Sequence, residues 1–269
     1  MPQRPLIFGI LNITPDSFSD GGKYFALDAA IAHARQLAAD GADVIDIGPA
    51  SSHPDAAPVS PEEEIRRLAP VMEVLRGEGI ALSVDSFHPE TQAFALAHGA
   101  AWLNDIQGFA EESFHPALAA ADVRLIVMHS IQEHGNADRR AAPEGDIVER
   151  ICRFFEARIG QLEKAGIARD RLILDPGMGF FVGPTPETSF EVLARLGELK
   201  SRFGLPLLVS VSRKSFLRAV TGRAPGEAGA ASLAAELLAA IGGVDYIRTH
   251  EPRPLADALA VHSALKVRQ

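Results

Sequence analysis

A chain of 269 residues, 47% of them hydrophobic and 23% charged, can bury a sizeable core and is not disordered. A net charge of −9 without any lysine or arginine run argues against nucleic acid or a membrane surface as partner, since both need a concentrated basic footprint. The length suits one large α/β domain over 1–269. Cys152 is the only cysteine, so there is no disulfide framework, and within "ERICRFFEARI" it reads as a buried helix thiol. The opening apolar run is too short to span a membrane and has no small-residue cleavage site, which makes the cytoplasm the expected compartment.

In chain order, short β-rich apolar runs alternate with longer amphipathic stretches. The runs are "LIFGILNIT" (6–14), "ADVIDIG" (42–48), "IALSVDSF" (80–87), "AWLNDI" (101–106), "RLIVMHS" (124–130), "RLILDPG" (171–177), "LPLLVSVS" (205–212) and "DYIRTH" (245–250). Between them lie helical patterns such as "LDAAIAHARQLAADG" and "SPEEEIRRLAPVMEVLRGEG", several opening on Asp or Ser and closing on Gly. Continuous apolar strands covered by helices imply a parallel sheet, and eight such units imply a closed (β/α)8 TIM barrel. A doubly wound open sheet is the competing arrangement.

In such a barrel the active site lies at the C-terminal ends of the strands. Those ends carry Asn12, Asp46, Asp85, Asn104 with Asp105, His129, Asp175, Lys214, and Arg248 with His250. Several carboxylates in one cavity repel each other unless a donor-rich ligand, a cation or a lysine offsets them. Strand 8 closes on strand 1, so Arg248 and His250 approach Asn12 and the loop carrying Asp16 and Asp20. That grouping suits an anion with a divalent cation, and hence a phosphorylated or diphosphorylated substrate. Asp85, Asn104 and Asp175 present acceptors that a flat heterocycle with amino and ring N–H groups would satisfy, and Lys214 can donate to a ring carbonyl or nitrogen. "SVSRKSFL" ends strand 7 and starts a helix, so Ser215 and free backbone N–H groups face the site and suit a carboxylate or phosphate.

The motifs "GILNITPDSFSDGG", "SVDSF", "NDIQGF", "VMHS", "LDPGMGF", "SVSRKSFL" and "RTH" together resemble dihydropteroate synthase in every unit from strand 1 to strand 8. The resemblance implies condensation of 6-hydroxymethyl-7,8-dihydropterin diphosphate with p-aminobenzoate, giving 7,8-dihydropteroate and diphosphate, in a homodimer that uses Mg²⁺. It implies pterin contacts from Asp85, Asn104, Met128, Asp175 and Lys214, diphosphate contacts from Asn12, Arg248 and His250, and Mg²⁺ placed by Asn12 and Asp20. It further implies that p-aminobenzoate meets Ser52, Pro54, Phe180, Phe181, Ser212, Arg213 and Ser215, and that Asp85, Asp175, Lys214 and Asp20 carry the chemistry. Barrels passing a methyl group from methyltetrahydrofolate to a corrinoid, and non-catalytic pterin-binding proteins, share the acceptor-rich pocket. They lack a reason for "SRKSF" or the diphosphate cluster.

Three stretches depart from the family's usual pattern. After strand 2, "GPASSHPDA" has Ala50, His53 and Asp55 where Glu, Arg and Gly are usual, so one anion contact is weakened or moved. The strand 6 loop "DPGMGFFVGPTPETS" is longer by about two residues, loses a lysine and carries both Phe180 and Phe181, with the register between the two rings open. "RTHEP" stands for RVHDV. These departures resemble the sulfonamide-insensitive branch of the family, for which sulfonamides are weak or excluded inhibitors: an added ring clashes with the drug's substituent and spares the smaller substrate.

Overall fold

The strands of this chain are short and apolar, and each is followed by at least one helix. The computed structural model describes residues 4–14, 23–132, 135–139 and 144–266. In order, the elements are β1 (Leu6–Asn12), α1 (Lys23–Ala39), β2 (Val44–Gly48), α2 (Pro61–Gly77), β3 (Leu82–Asp85), α3 (Pro89–Ala97), β4 (Trp102–Asp105), α4 (His115–Ala120) and β5 (Arg124–Met128). They continue with α5 (Ile147–Lys164), β6 (Leu172–Asp175), α6 (Pro186–Ala194), α7 (Leu196–Phe203), β7 (Leu208–Val209), α8 (Ser215–Thr221), α9 (Gly229–Ile241), β8 (Tyr246–Thr249) and α10 (Pro252–Lys266). No helix among the described residues is long and apolar enough to cross a membrane.

Helix boundaries follow local chemistry. Ser60 caps α2 ahead of Pro61, accepting from the Glu63 N–H, and Asp146 caps α5 by accepting from Val148 and Glu149. Gly204 and Gly222 end α7 and α8 in the left-handed conformation. α5 shows why the helices dock: Ile151, Cys152, Phe155, Ile159 and Leu162 fall at helical spacing on one buried face. Burying each large apolar side chain there stabilises by roughly 1.5–3 kcal/mol. Cys152 is thus a buried helix thiol, and burial raises its pKa.

Every strand pair is parallel, in the order β6-β5-β4-β3-β2-β1-β8-β7. A bridge between Leu174 and Leu207 joins the two ends, so the sheet closes as a barrel and the open doubly wound arrangement is ruled out. The seam is thin for a reason visible in the sequence. Pro206 cannot donate to the ladder, and its carbonyl only accepts, from the Leu174 N–H at 2.9 Å. β7 therefore has two ladder residues where the apolar run spans 205–212.

Alternation along each strand then sets the site. The barrel interior is filled by Phe8, Val44, Ile126, Ile173, Leu208 and Tyr246, with Ala81 and Trp102 packed against them. Phe8 meets Trp102 and Tyr246 edge to face, with ring centroids 5.5 and 5.6 Å apart. Stepping by two along each strand toward its C-terminal end leads from these residues to Asn12, Asp46, Asp85, Asn104, Met128, Asp175, Ser210, Ser212, Arg248 and His250. Core and site share one strand face, apolar below and polar above.

Candidate functional site

At the C-terminal mouth an outer cleft of about 370 Å³ leads to a small inner chamber of about 20 Å³. The chamber is lined by Ser52, Asp85, Asn104, Met128, Asp175, Phe181, Lys214 and Arg248, among others. The cleft is lined by Asn12, Ser52, His53, Pro54, Phe180, Phe181, Ser212, Arg213, Ser215, Arg248 and His250, and also by Arg218. The structure thus gathers the substrate-contact residues that the resemblance implies except Asp20, which with Asp16 lies outside the described residues; of the other strand-end residues, Asp46, Asp105 and His129 line neither space.

The inner chamber is a balanced ionic cluster. Arg248 donates from Nε to Asp46 Oδ2 and from an Nη to Asp85 Oδ2 at 2.6 Å. Burial alone would lower the Arg248 pKa, but Asp46 and Asp85 more than offset it and hold the guanidinium charged. Asp175 accepts from the Gly177 N–H at 2.8 Å, yet burial raises its pKa to about 6. Burial also raises Asp85, with Asp46 adding to the shift and Arg248 and Lys214 opposing it. Lys214 is lowered to about 8, by burial first and then by Arg248. Asp46 Oδ1 and Asn104 Oδ1 are buried acceptors without a partner among the described residues. Leaving a buried acceptor unmet is costly, so this chamber suits a ligand rich in N–H donors.

Sequence reading placed Arg248 with His250 and apart from the acceptor group, whereas the structure sets it between the two. Asp46, noted as a strand-end carboxylate without a role, is its main partner. His250 is neutral: burial, then Arg213, Arg248 and Lys214, push its pKa down to about 3. Ser212 Oγ accepts from the His250 backbone N–H at 3.2 Å and lies 3.0 Å from Nδ1. The Ser212 hydroxyl proton can point to Nδ1, which leaves Nε2–H as the ring's donor. Asp105 and His129 belong to the scaffold. Asp105 accepts from Gln92 and from the Gln107 N–H, and His129 donates from Nδ1 to the Pro176 carbonyl at 3.1 Å.

The departures in the β2 and β6 loops touch each other. Asp55 accepts two hydrogen bonds from Arg139, at 2.7 and 2.5 Å, and lies 3.6 Å from His53 Nδ1. His53 and Phe180 meet edge to face at 6.2 Å, and the Arg139 guanidinium lies 5.7 Å from the Phe180 ring centre. The two rings of "GFF" therefore part company. Phe180 is partly buried at this outer wall, at the edge of the cluster of Ile106, Met128 and Ala137 in which Phe181 is buried, with Lys214 Nζ 5.2 Å from the Phe181 ring centre. The lengthened loop is tied to the β5 loop: the Ile131 N–H donates to the Phe181 carbonyl at 2.9 Å and the Gln132 amide to the Phe180 carbonyl at 3.2 Å. Arg139 and Arg218 carry no family motif, and only helical spacing from Ser215 would have pointed to Arg218.

A barrel mouth that joins orphaned buried acceptors to an outer cleft bearing cations and donors defines an enzyme that grips a flat, donor-rich heterocycle beside an anion. Residues 8–250 match the family described as pterin binding enzyme. Dihydropteroate synthase type-2 of Escherichia coli is 65% identical over 266 residues, covering 99% of this chain and 98% of that protein. Dihydropteroate synthase of Xanthomonas albilineans, solved with 4-aminobenzoic acid, superposes with a TM-score of 0.91 at 40% identity, covering 98% of this chain and 94% of that one. The same enzyme in complex with 7,8-dihydropteroate gives 0.87 at 39% identity, covering 99% and 95%. The chain belongs to the dihydropteroate synthases, a family of transferases.

Proposed function

We propose that the inner chamber holds the pterin of 6-hydroxymethyl-7,8-dihydropterin diphosphate and that the outer cleft holds its diphosphate and p-aminobenzoate, which condense to 7,8-dihydropteroate. The observation that carries this reading is the chamber's orphaned acceptor Asn104 Oδ1, beside Asp85, Asp175 and Lys214, with the unmet Asp46 Oδ1 buried behind Arg248. Pterin amino and ring N–H groups meet Asp85, Asn104 and Asp175, Lys214 donates to the ring, and Met128 and Phe181 pack its faces. Since the chamber stands nearly closed, pterin entry needs Lys214, Arg248 or Phe181 to give way.

The reaction breaks the C–O bond to diphosphate, and the electron pair leaves with that oxygen. Asp85 and Asp175 stabilise the positive charge left on the pterin methylene, while Asn12, His250 and Arg248 receive the departing anion. The p-aminobenzoate nitrogen then uses its lone pair to form the C–N bond and sheds a proton, acidic once the bond exists. Ser212, Arg213 and Ser215 line the same cleft, with Ser52 and Pro54 contributed by the β2 loop. Mg²⁺ fits what is present. The described residues hold no cluster of three His, Cys, Asp or Glu, but the ion needs only one or two protein oxygens beside substrate phosphates and water. Asn12 supplies one, and the bare Cα of Gly48 makes room, since a Cβ there would sit 3.1 Å from Asn12 Oδ1. When bound, Mg²⁺ offsets charge on the diphosphate.

Sulfonamide exclusion is assigned to the outer wall of His53, Asp55, Arg139 and Phe180. Phe181 reaches inward and takes the substrate-side position, so Phe180 is the ring that meets a substituent projecting past the carboxylate. The expected setting is a cytoplasmic homodimer. Steady-state kinetics test the reading: diphosphate release that requires both p-aminobenzoate and the pterin diphosphate, with weak sulfonamide competition. Methyl transfer from methyltetrahydrofolate, or pterin binding without turnover, would overturn it.

A further inference from the structure

Three arginines line the outer cleft, and two of them are engaged. Arg248 is held by Asp46 and Asp85, and Arg213, although its Nε is also buried without a partner, donates from an Nη to Glu251 at 2.8 Å. The third, Arg218, has no carboxylate or hydrogen-bond acceptor among the described residues, and its Nε is buried without a partner. A guanidinium nitrogen withdrawn from water is costly unless something accepts from it.

Its position says what that acceptor is. Arg218 lies three residues after Ser215 on α8, and side chains at that spacing share a helix face and lean toward the N-terminus. The guanidinium therefore runs back toward Ser215, in the cleft that His53 and Phe180 also line. His53 stands where the family usually has an arginine, but its imidazole sits 3.6 Å from Asp55. A planar guanidinium matches a carboxylate through paired N–H···O bonds better than any other side chain.

We propose that Arg218 recognises the carboxylate of p-aminobenzoate, replacing from α8 the cation missing from the β2 loop. This rests on the reading of the outer cleft as the p-aminobenzoate site. The carboxylate then sits between Arg218 and the Ser215 hydroxyl, with Arg213 kept on Glu251. Phosphate would satisfy the same guanidinium, so the test must separate the two substrates.

The full-length enzyme is assayed with p-aminobenzoate as substrate and with 4-aminobenzamide, which keeps the amine and ring but lacks the charge, as competing ligand. Arg218→Met is expected to raise KM for p-aminobenzoate by roughly ten- to hundredfold. The inhibition constant for 4-aminobenzamide and the KM for the pterin diphosphate should stay within about twofold, and Arg218→Lys should recover part of the loss. Those unchanged constants also show that the variant is folded; Arg218→Gln, shorter and uncharged but still polar, serves in its place if Met does not fold. An unchanged preference for the carboxylate, a rise in KM for the pterin diphosphate instead, or loss of the preference in Arg213→Met but not in Arg218→Met would each overturn the proposal. A parent enzyme that releases no diphosphate with p-aminobenzoate would instead sink the underlying reading of the cleft.

Discussion

Arg248 on β8 clasps Asp46 on β2, bypassing the intervening β1, and extends to Asp85 on β3. The contact ties β8 to β2 and β3 over β1 at the barrel mouth, and all three side chains are largely withdrawn from water. Breaking a buried pair by removing one partner leaves an uncompensated charge and costs about 3 kcal/mol or more. Asp46→Asn should therefore lower thermal stability by several degrees and also raise KM for the pterin diphosphate, because Arg248 then leans wholly on Asp85. Melting curves and steady-state kinetics check both effects. A variant with unchanged melting but lost activity would mean that Asp46 acts on the ligand and not on Arg248.

Asp175 sets function against stability. Its folded pKa, raised to about 6 from 3.8, makes the folded state the tighter proton binder. Below 3.8 both states are protonated and burial of this group carries no ionic penalty. As pH climbs from 3.8 to 6 the unfolded chain ionises first and stability falls, by about 3 kcal/mol for a two-unit shift, and stays at that lower level above. Asp175→Asn removes the penalty. The variant should melt above the parent at pH 8, the gap should close as pH falls toward 4, and turnover should drop by at least about a hundredfold. A gap independent of pH would show that the carboxylate is ionised at no cost. In the parent, kcat/KM for the pterin diphosphate should rise with pH through about 6 as Asp175 takes up its charge.

Gly177 holds the turn after β6 with φ +74°, and a Cβ there would lie 2.4 Å from the His129 carbonyl oxygen. Neither obstacle relaxes through a side chain, because the obstructing atom is backbone. Gly177→Ala should cost about 3 kcal/mol or more. It should also raise KM for the pterin diphosphate, since the Gly177 N–H that orients Asp175 moves with the turn. Denaturant titration beside substrate kinetics would show the two losses together.

The barrel was legible because its strands are runs bounded by Gly, Pro and charged residues, and because period-two alternation puts strand-end polar residues on the same face as the core. Asp85, Asn104, Asp175 and Lys214, which line the inner chamber, stand out in the sequence as polar residues at strand ends. Asp46 was harder: inside "VIDIG" it looks like one more strand-end acid, and only closure of the barrel reveals that Arg248 reaches across to it. The order of Phe180 and Phe181 was not legible at all. Two adjacent identical rings carry no local signal of which turns inward, and the direction is set by the Ile131 and Gln132 hydrogen bonds to their carbonyls, which come from a different loop. Arg218 escaped notice for a related reason, since its meaning lies in a partner it lacks.

Phe180 gains its place from Arg139, whose guanidinium lies against the ring while bonding Asp55. Both charged groups are well exposed, so their pairing contributes little to folding, and Arg139→Ala should melt with the parent. Its effect should fall on selection. Without Arg139 the wall of His53, Asp55 and Phe180 loses its clamp and a sulfonamide substituent meets less resistance. Phe180→Ala, which removes the ring itself, should lower the sulfonamide inhibition constant by roughly ten- to hundredfold, a clash of a few kcal/mol relieved. Arg139→Ala should give a smaller fall in the same direction, and KM for p-aminobenzoate should change by less than about threefold in either. The double variant should gain little over Phe180→Ala, because both substitutions open one wall and such effects do not add. If Phe181→Ala lowers the inhibition constant and Phe180→Ala does not, the inner ring excludes the drug and the outer wall has no part in it.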